Sequence, residues 1–266
     1  MRRHSEKVRA LIERFPWGTL DFPKRKKGHE TDLLHIWITE SILRDANVTG
    51  LVLTNQIDPI VRAVQQTVCS GKPQRFVAKI DASHLTKSPA SILEKMAREW
   101  DDVSAPKIGF ADIQGAFSDL ARFRVVVNFL SDALAVREAI EAPFNTMGMA
   151  PLSDAQATLA REFSLKGNCF DDSVTTRVAQ RKSGERSYKG VFQPRANAAT
   201  VKVEVQIQTL LQESWDKKQH VLVYEPTRRG ELVPEAVQCE LDAMSDLLFV
   251  ADRTFDRYRA QLQGTE

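Results

Sequence analysis

Glu204 is the carboxylate that the sequence places best for chemistry. It lies in the stretch Val201 to Glu225, VKVEVQIQTLLQESWDKKQHVLVYE, which reads as a strand running directly into an amphipathic helix. Val201, Val203, Val205 and Ile207 point to one face of that strand, and Lys202, Glu204, Gln206 and Gln208 to the other. A carboxylate fixed on a sheet beside neutral hydrogen-bonding groups suits a Mg2+ ligand. The same spacing fits a solvated amphipathic strand, and both readings stay open at this level. Thr209 is placed to cap the following helix, on which Leu210, Leu211, Trp215 and His220 recur at helical spacing.

A second group of reactive types lies in Lys87 to Arg98, KSPASILEKMAR. Helical spacing aligns Ser91 and Lys95 on one face, with Lys87 four residues before and Arg98 close by. Such a face can meet a polyphosphate, or it can be a solvated surface carrying a Glu94–Arg98 pair. Two basic runs, Lys24–Lys27 (KRKK) and Arg177–Arg186 (RVAQRKSGER), are further candidates to hold phosphates, or are solvated surface.

These residues need elements to position them. Residues 1–30 are basic and broken by Pro16, Gly18, Pro23 and Gly28. Residues 31–70 carry helical apolar periodicity. A short strand is expected over Arg75–Ile80, and a helix over Pro89–Trp100 capped by Ser88 with Pro89 in its first turn. RVVVNFL, Arg124 to Leu130, reads as a strand buried on both faces, followed by a helix over 132–141 capped by Ser131. Residues 143–160 look irregular. Val174–Ala179, Lys189–Pro194 and Thr200–Gln208 read as strands, the last two pairing as a hairpin. One or two helices close the chain over 232–262, with Val233, Val237, Leu241, Met244, Leu248 and Tyr258 turned to the core. The expected fold is α+β, a central mixed sheet flanked by helices. Three regions are expected: a basic, helical extension at 1–70, a core at 71–228 and closing helices at 229–266.

Composition narrows the function. The chain has 266 residues, 27% charged, with a formal net charge of +2, so it lacks the overall basicity of a nucleic-acid binder. The three cysteines have no metal-ligand or redox spacing, which suits reduced thiols in a cytoplasmic protein. No apolar run reads as a signal peptide or membrane span, and no partner membrane is expected. No glycine-rich phosphate loop is present, so a nucleotide would be held by side chains.

Four segments, in order, resemble the synthetase domain of the RelA/SpoT family, whose members transfer pyrophosphate from ATP to the 3′-hydroxyl of a nucleotide, usually GDP or GTP. KSPASILEKMAR resembles the start of the family's ATP site, DLARFRVVVNFLSD its metal-binding aspartate and following strand, SYKGVF its acceptor-stacking loop, and EVQIQT with ESWDKKQHVLVYE the end of the domain. The resemblance implies a nucleotidyltransferase-like fold and a Mg2+ cofactor held by Asp119 and Glu204. It implies Lys87, Ser91, Lys95, Arg98 and Arg124 at ATP, and Tyr188, Lys182, Arg186 and Gln206 at the acceptor. Glu204 is also the candidate to serve as general base, while Trp215, His220 and Tyr224 read as packing residues. The chain departs from the family at Leu85, Arg122 and Phe192, where an arginine, a glycine and a histidine are usual. It contains no His-Asp dipeptide and so lacks the metal motif of the family's hydrolase domain. It therefore resembles a stand-alone small alarmone synthetase. Acceptors other than GDP or GTP stay open, namely ADP, ATP or the 3′ end of tRNA as in toxic members, as does a non-catalytic nucleotide-binding role. The partners implied are ATP and a purine nucleotide. A tRNA, a second copy of the chain and an antitoxin are left open.

Overall fold

The computed structural model describes residues 2–19, 22–68, 78–99, 113–145, 151–174, 184–195 and 201–263. A helix over Arg2–Arg14 opens the chain. A long helical run then extends from Glu30 to Val68 and contains one π-helical segment, Ile38–Leu43. Strand β1 (Ala78–Asp81) precedes a helix over Pro89–Arg98 and a short turn of helix at Ile113–Ala116. Strand β2 is Ala121–Val127, and helices follow at Leu130–Glu141 and Asp154–Glu162. The remaining strands are β3 (Phe163–Leu165), β4 (Asp171–Asp172), β5 (Tyr188–Pro194) and β6 (Val203–Thr209). After β6 come a helix over Leu210–Gln219, a π-helical turn at His220–Tyr224, a short helix at Glu225–Arg228 and a terminal helix over Glu235–Gln263.

The sheet has the order β1-β2-β6-β5-β3, with β4 also on β5. β2 and β6 are parallel; the other pairs are antiparallel, so the sheet is mixed and the fold is α+β. Its two faces differ because the strands alternate. Phe123, Val125 and Val127 of β2, Val203, Val205 and Ile207 of β6, and Tyr188 and Phe192 of β5 are all buried in one continuous core. The helices over 44–68 and 130–141 pack on β2 and β6 and supply the other half of that core, and the helix over 154–162 packs on the first of these. Leu11 of the opening helix and Phe15 just after it belong to the same core.

Local chemistry explains several boundaries. The Ser88 hydroxyl accepts from the Ser91 backbone N–H at 3.2 Å, and Pro89 occupies the first turn, which needs no amide there. Thr209 caps its helix as expected, accepting from the Gln212 backbone N–H at 3.3 Å. Gly190 is required by packing, because an added Cβ would lie 2.8 Å from the Phe170 ring. The same constraint at Gly50 comes from Leu85, whose Cδ1 would lie 2.9 Å from an added Cβ.

Other expectations need correction. The helix after β2 starts at Leu130 with Phe129 at its cap, and the Ser131 hydroxyl donates instead to Asp256 at 2.7 Å. β2 is not buried on both faces throughout, since Arg122 and Arg124 are partly exposed. Within 143–160 there is a helix with a full capping box, Ser153 with Gln156, which the nearby prolines hide in the sequence. The terminal helix turns Met244 and Tyr258 outward, at 50% and 52% exposure, and seats Ser245 and Asp252 inward. Of the strand expected over Val174–Ala179 and the one over Arg75–Ile80, residues 175–179 and 75–77 lie outside the described residues. Among the described residues no helix is long and apolar enough to cross a membrane.

Asp252 ties the terminal helix to the sheet: it is buried and accepts from the Thr209 hydroxyl at 2.6 Å. Burial pushes its carboxyl up to about 6, Thr209 works against this, and Asp256 adds to it. An unfolded aspartate ionises near ~3.9, so folding binds a proton more tightly and stability falls as pH rises from about 4 to about 6. Asp252→Asn keeps an acceptor for Thr209 and removes the buried charge. It is expected to stabilise the protein at pH 7 by on the order of 1–3 kcal/mol, and hardly at pH 4, in urea unfolding. An equal effect at both pH values would show that the carboxyl is not ionising across this range.

Candidate active site

The polar face of the sheet lines a cavity of about 450 Å3, within the usual range for small-molecule sites of ~300–1,000 Å3. β2 contributes Arg122 and Arg124, β6 contributes Glu204 and Gln206, and β5 contributes Lys189. The register sets Arg122 beside Glu204 and Arg124 beside Gln206, with Lys189 on the other side of Gln206. Lys87, Ser88, Ser91 and Arg98 enter from the start and length of the 89–98 helix, and Asp119 from the turn before β2. The helix after β6 returns across this face and brings Asp216, with His220 and Tyr224 of the π-helical turn.

Two charge clusters organise the cavity. Asp119 accepts from Lys95 Nζ at 2.7 Å and is also bonded to Lys87. Burial alone would raise the Asp119 pKa, but the two ammonium groups outweigh it and hold the carboxyl at about 2. Lys95 Nζ also lies 4.4 Å from the centre of the Phe117 ring. The second cluster is a chain of bonds. Arg124 donates to Asp216 at 2.6 Å and to Gln206 Oε1 at 3.0 Å, and Gln206 Nε2 donates to Glu204 Oε1 at 2.7 Å. Because an amide both accepts and donates, Gln206 carries the orientation set by Arg124 on to Glu204. Asp216 is buried enough that its pKa is raised, with Arg124 pulling against that.

Of the residues singled out in the sequence, Lys87, Ser91, Arg98, Asp119, Arg124, Glu204 and Gln206 therefore line one cavity, and Lys95 reaches it through Asp119. Two others do not join them. Tyr188 is 1% exposed and pairs with Ile207, which puts its ring on the core face, opposite to that of its neighbour Lys189. Arg137 lies 5.0 Å from its ring centre, and burial drives the phenol up to about 12. Arg186 is buried beneath the terminal helix, bonded to Asp246 and to the Val174 carbonyl at 3.1 Å, with the Phe249 ring 4.4 Å away. Lys182 lies outside the described residues. The other basic run is exposed at Lys24–Lys27, where Arg25 pairs with Glu13 and Glu30.

Sequence reasoning missed Asp216, the Glu185–Lys189 pair at 2.8 Å, and the place of His220 and Tyr224 on the cavity. The signal for Asp216 was only that it follows buried Trp215 on the helix, since its partner Arg124 is remote in sequence. His220 and Tyr224 were assigned to packing, yet their rings stack at 4.7 Å and Tyr224 is 41% exposed.

Among the described residues no cluster of three or more His, Cys, Asp or Glu side chains could cage a metal ion. Mg2+ does not require one, since it commonly binds through one or two carboxylates together with waters and substrate phosphates. Asp119, ionised at all ordinary pH, and Glu204 give oxygen donors of that type on one cavity, so the residues fit such an ion.

A family model described as the region found in RelA / SpoT proteins matches residues 84–229, more than half of the chain. The chain belongs to the RelA/SpoT family. Among solved structures it is similar to the small alarmone synthetase 1 of Bacillus subtilis bound to its product pppGpp, at 24% identity and TM-score 0.47, covering 71% of this chain and 78% of that one. It is also similar to the small alarmone synthetase 2 of Bacillus subtilis, at 17% identity and TM-score 0.49, covering 82% and 99%. A GTP pyrophosphokinase family protein from Streptococcus pneumoniae is similar at 20% identity and TM-score 0.48, covering 79% and 93%. A search of curated proteins finds no match.

Lys95→Met removes one of the two ammonium partners of Asp119. The Asp119 carboxyl is expected to titrate clearly above about 2 in that variant, as followed by carbon NMR. No change would show that Lys87 alone sets the charge of this cluster.

Proposed function

We propose that the chain transfers pyrophosphate from ATP to the 3′-hydroxyl of a purine nucleotide. The observation that carries this reading is the convergence, on one cavity, of Lys87, Ser91, Arg98, Asp119, Arg124, Glu204 and Gln206, all within the segment matched by the family model. Lys87, Ser91 and Arg98 bind the donor phosphates at the helix over 89–98, whose N-terminal end favours anions. Asp119 and Glu204 would hold Mg2+, which when bound offsets the phosphate charge. Glu204, oriented through Gln206 and Arg124, takes the proton of the acceptor 3′-hydroxyl. The hydroxyl oxygen attacks the β-phosphorus, the bond from that phosphorus to the α,β-bridging oxygen breaks, and AMP leaves. Such a transfer asks the protein for positioning and charge compensation.

The acceptor base is a separate question. With Tyr188 in the core, the rings on the cavity are His84, His220 and Tyr224, and the acceptor base meets the adjacent His220 and Tyr224 in this reading. This placement favours an acceptor gripped differently from the family's GDP or GTP, so ADP, ATP and the 3′ end of tRNA belong in the test.

Purified protein incubated with Mg2+, γ-labelled ATP and each of GDP, GTP, ADP and deacylated tRNA is expected to pass label to one of these. Label that appears on none of them sinks the transferase reading and leaves a nucleotide-binding role. Glu204→Gln is expected to abolish transfer while thermal unfolding stays near that of the parent. Tyr224→Ala is expected to weaken the acceptor by about 1–3 kcal/mol in KM, the range for one stacked base. Tyr188→Ala is expected instead to cost about 3–5 kcal/mol of stability, as for a large buried ring.

A further inference from the structure

The cations on this cavity are unequal. Lys87 is bonded to Asp119, Arg124 to Asp216 and Gln206, and Lys189 to Glu185. Arg122 lines the same cavity and has no hydrogen-bond or ion-pair partner among the described residues, although it is only partly exposed. It stands on β2 in register with Glu204, three residues after Asp119. It also lines a small adjoining cavity with Asp81, Ser83 and His84. Its charge reaches both Lys87 and Asp216 on the same cavity.

A partly exposed guanidinium that no carboxylate among the described residues holds by a hydrogen bond keeps its donors free for a ligand, and the ligand that would satisfy them is an anion with several oxygens. The paired cations can offer a ligand only what their carboxylates release. Arg122 needs no such exchange. At the same position the family usually has glycine, which supplies no charge.

We propose that Arg122 is a polyphosphate-binding residue that supplies within the chain part of the positive charge a divalent cation otherwise brings, so that nucleoside triphosphate binding here is only weakly dependent on Mg2+. This inference rests on the nucleotide-binding reading above. Arg122 and the metal ion then act on the same phosphate charge, and each matters most when the other is missing. A free triphosphate carries more negative charge than its Mg2+ complex, so the contribution of the guanidinium rises when the ion is removed.

The test is calorimetric titration with α,β-methylene-ATP, whose α,β bridge prevents transfer, in Mg2+ and in EDTA. The proteins are the parent, Arg122→Met and Arg122→Lys. Methionine keeps much of the aliphatic stem on the sheet, and circular dichroism checks each fold. The parent is expected to bind in both conditions. Arg122→Met is expected to lose at least about tenfold more affinity in EDTA than in Mg2+, and Arg122→Lys to recover most of that loss as a point charge. Equal losses in the two conditions, or none, would overturn the proposal while leaving the nucleotide site intact. A parent that binds in Mg2+ but not in EDTA would overturn it too. Absence of binding by the parent in both conditions would remove the nucleotide-binding reading and this inference together.

Discussion

The parallel pairing of β2 with β6 is the constraint on which the site depends. It sets Arg122 beside Glu204 and Arg124 beside Gln206 on one face, and Phe123 and Val125 beside Val205 and Ile207 on the other. A slip of one residue would drive the charged pairs into the core and expose the valines, so burial of the apolar face specifies the polar one. The helices over 44–68 and 130–141 therefore serve the site from behind. By burying one side of the sheet they fix which side chains reach the cavity.

Holding so many charges together has an electrostatic cost that the structure meets in two ways. Asp119 is bound by two lysines, and Arg124 is bound by a carboxylate and an amide. In each case the charged group keeps hydrogen-bond partners after losing water, which is the condition for burying it at tolerable cost. The second arrangement extends further, since Gln206 turns the Arg124–Asp216 pair into a support for Glu204. A carboxylate on a strand has rotational freedom, and an amide fixed on its far side reduces it.

Much of this was legible in the sequence because strand periodicity is strict. The alternation in Val201–Gln208 gave the faces of β6 correctly, and Ser88-Pro89 and Thr209 gave two helix starts. Tyr188 shows where the same logic was not carried far enough. Lys189 and Tyr188 are adjacent, so they cannot both face one cavity, and the apolar partners Gly190 and Phe192 do not decide the face without β6 alongside. Arg186 was assigned to the acceptor because it ends a basic run of the kind that holds phosphates. Its burial depends on Asp246 and Phe249 of the terminal helix, contacts remote in sequence that no local pattern reveals. The outward turn of Met244 and Tyr258 was missed for a related reason: apolar residues lie on several sides of that helix, so spacing alone did not choose the side that packs.

The departures from the family pattern are sorted by the same geometry. Leu85 is buried against the 44–68 helix, where Gly50 leaves it room, and Phe192 packs edge-on between Phe144 and Phe170 with ring centres 5.9 Å from each. An arginine or a histidine in those apolar surroundings would need a polar partner to offset its burial. Leu85 and Phe192 thus belong to the apolar core and add nothing to the cavity lining. Arg122 runs the other way, putting a charge on the cavity where glycine would leave backbone. Of the three changes, two are absorbed by the core and one, Arg122, alters the charge of the cavity. The rings that line the cavity are His84, His220 and Tyr224.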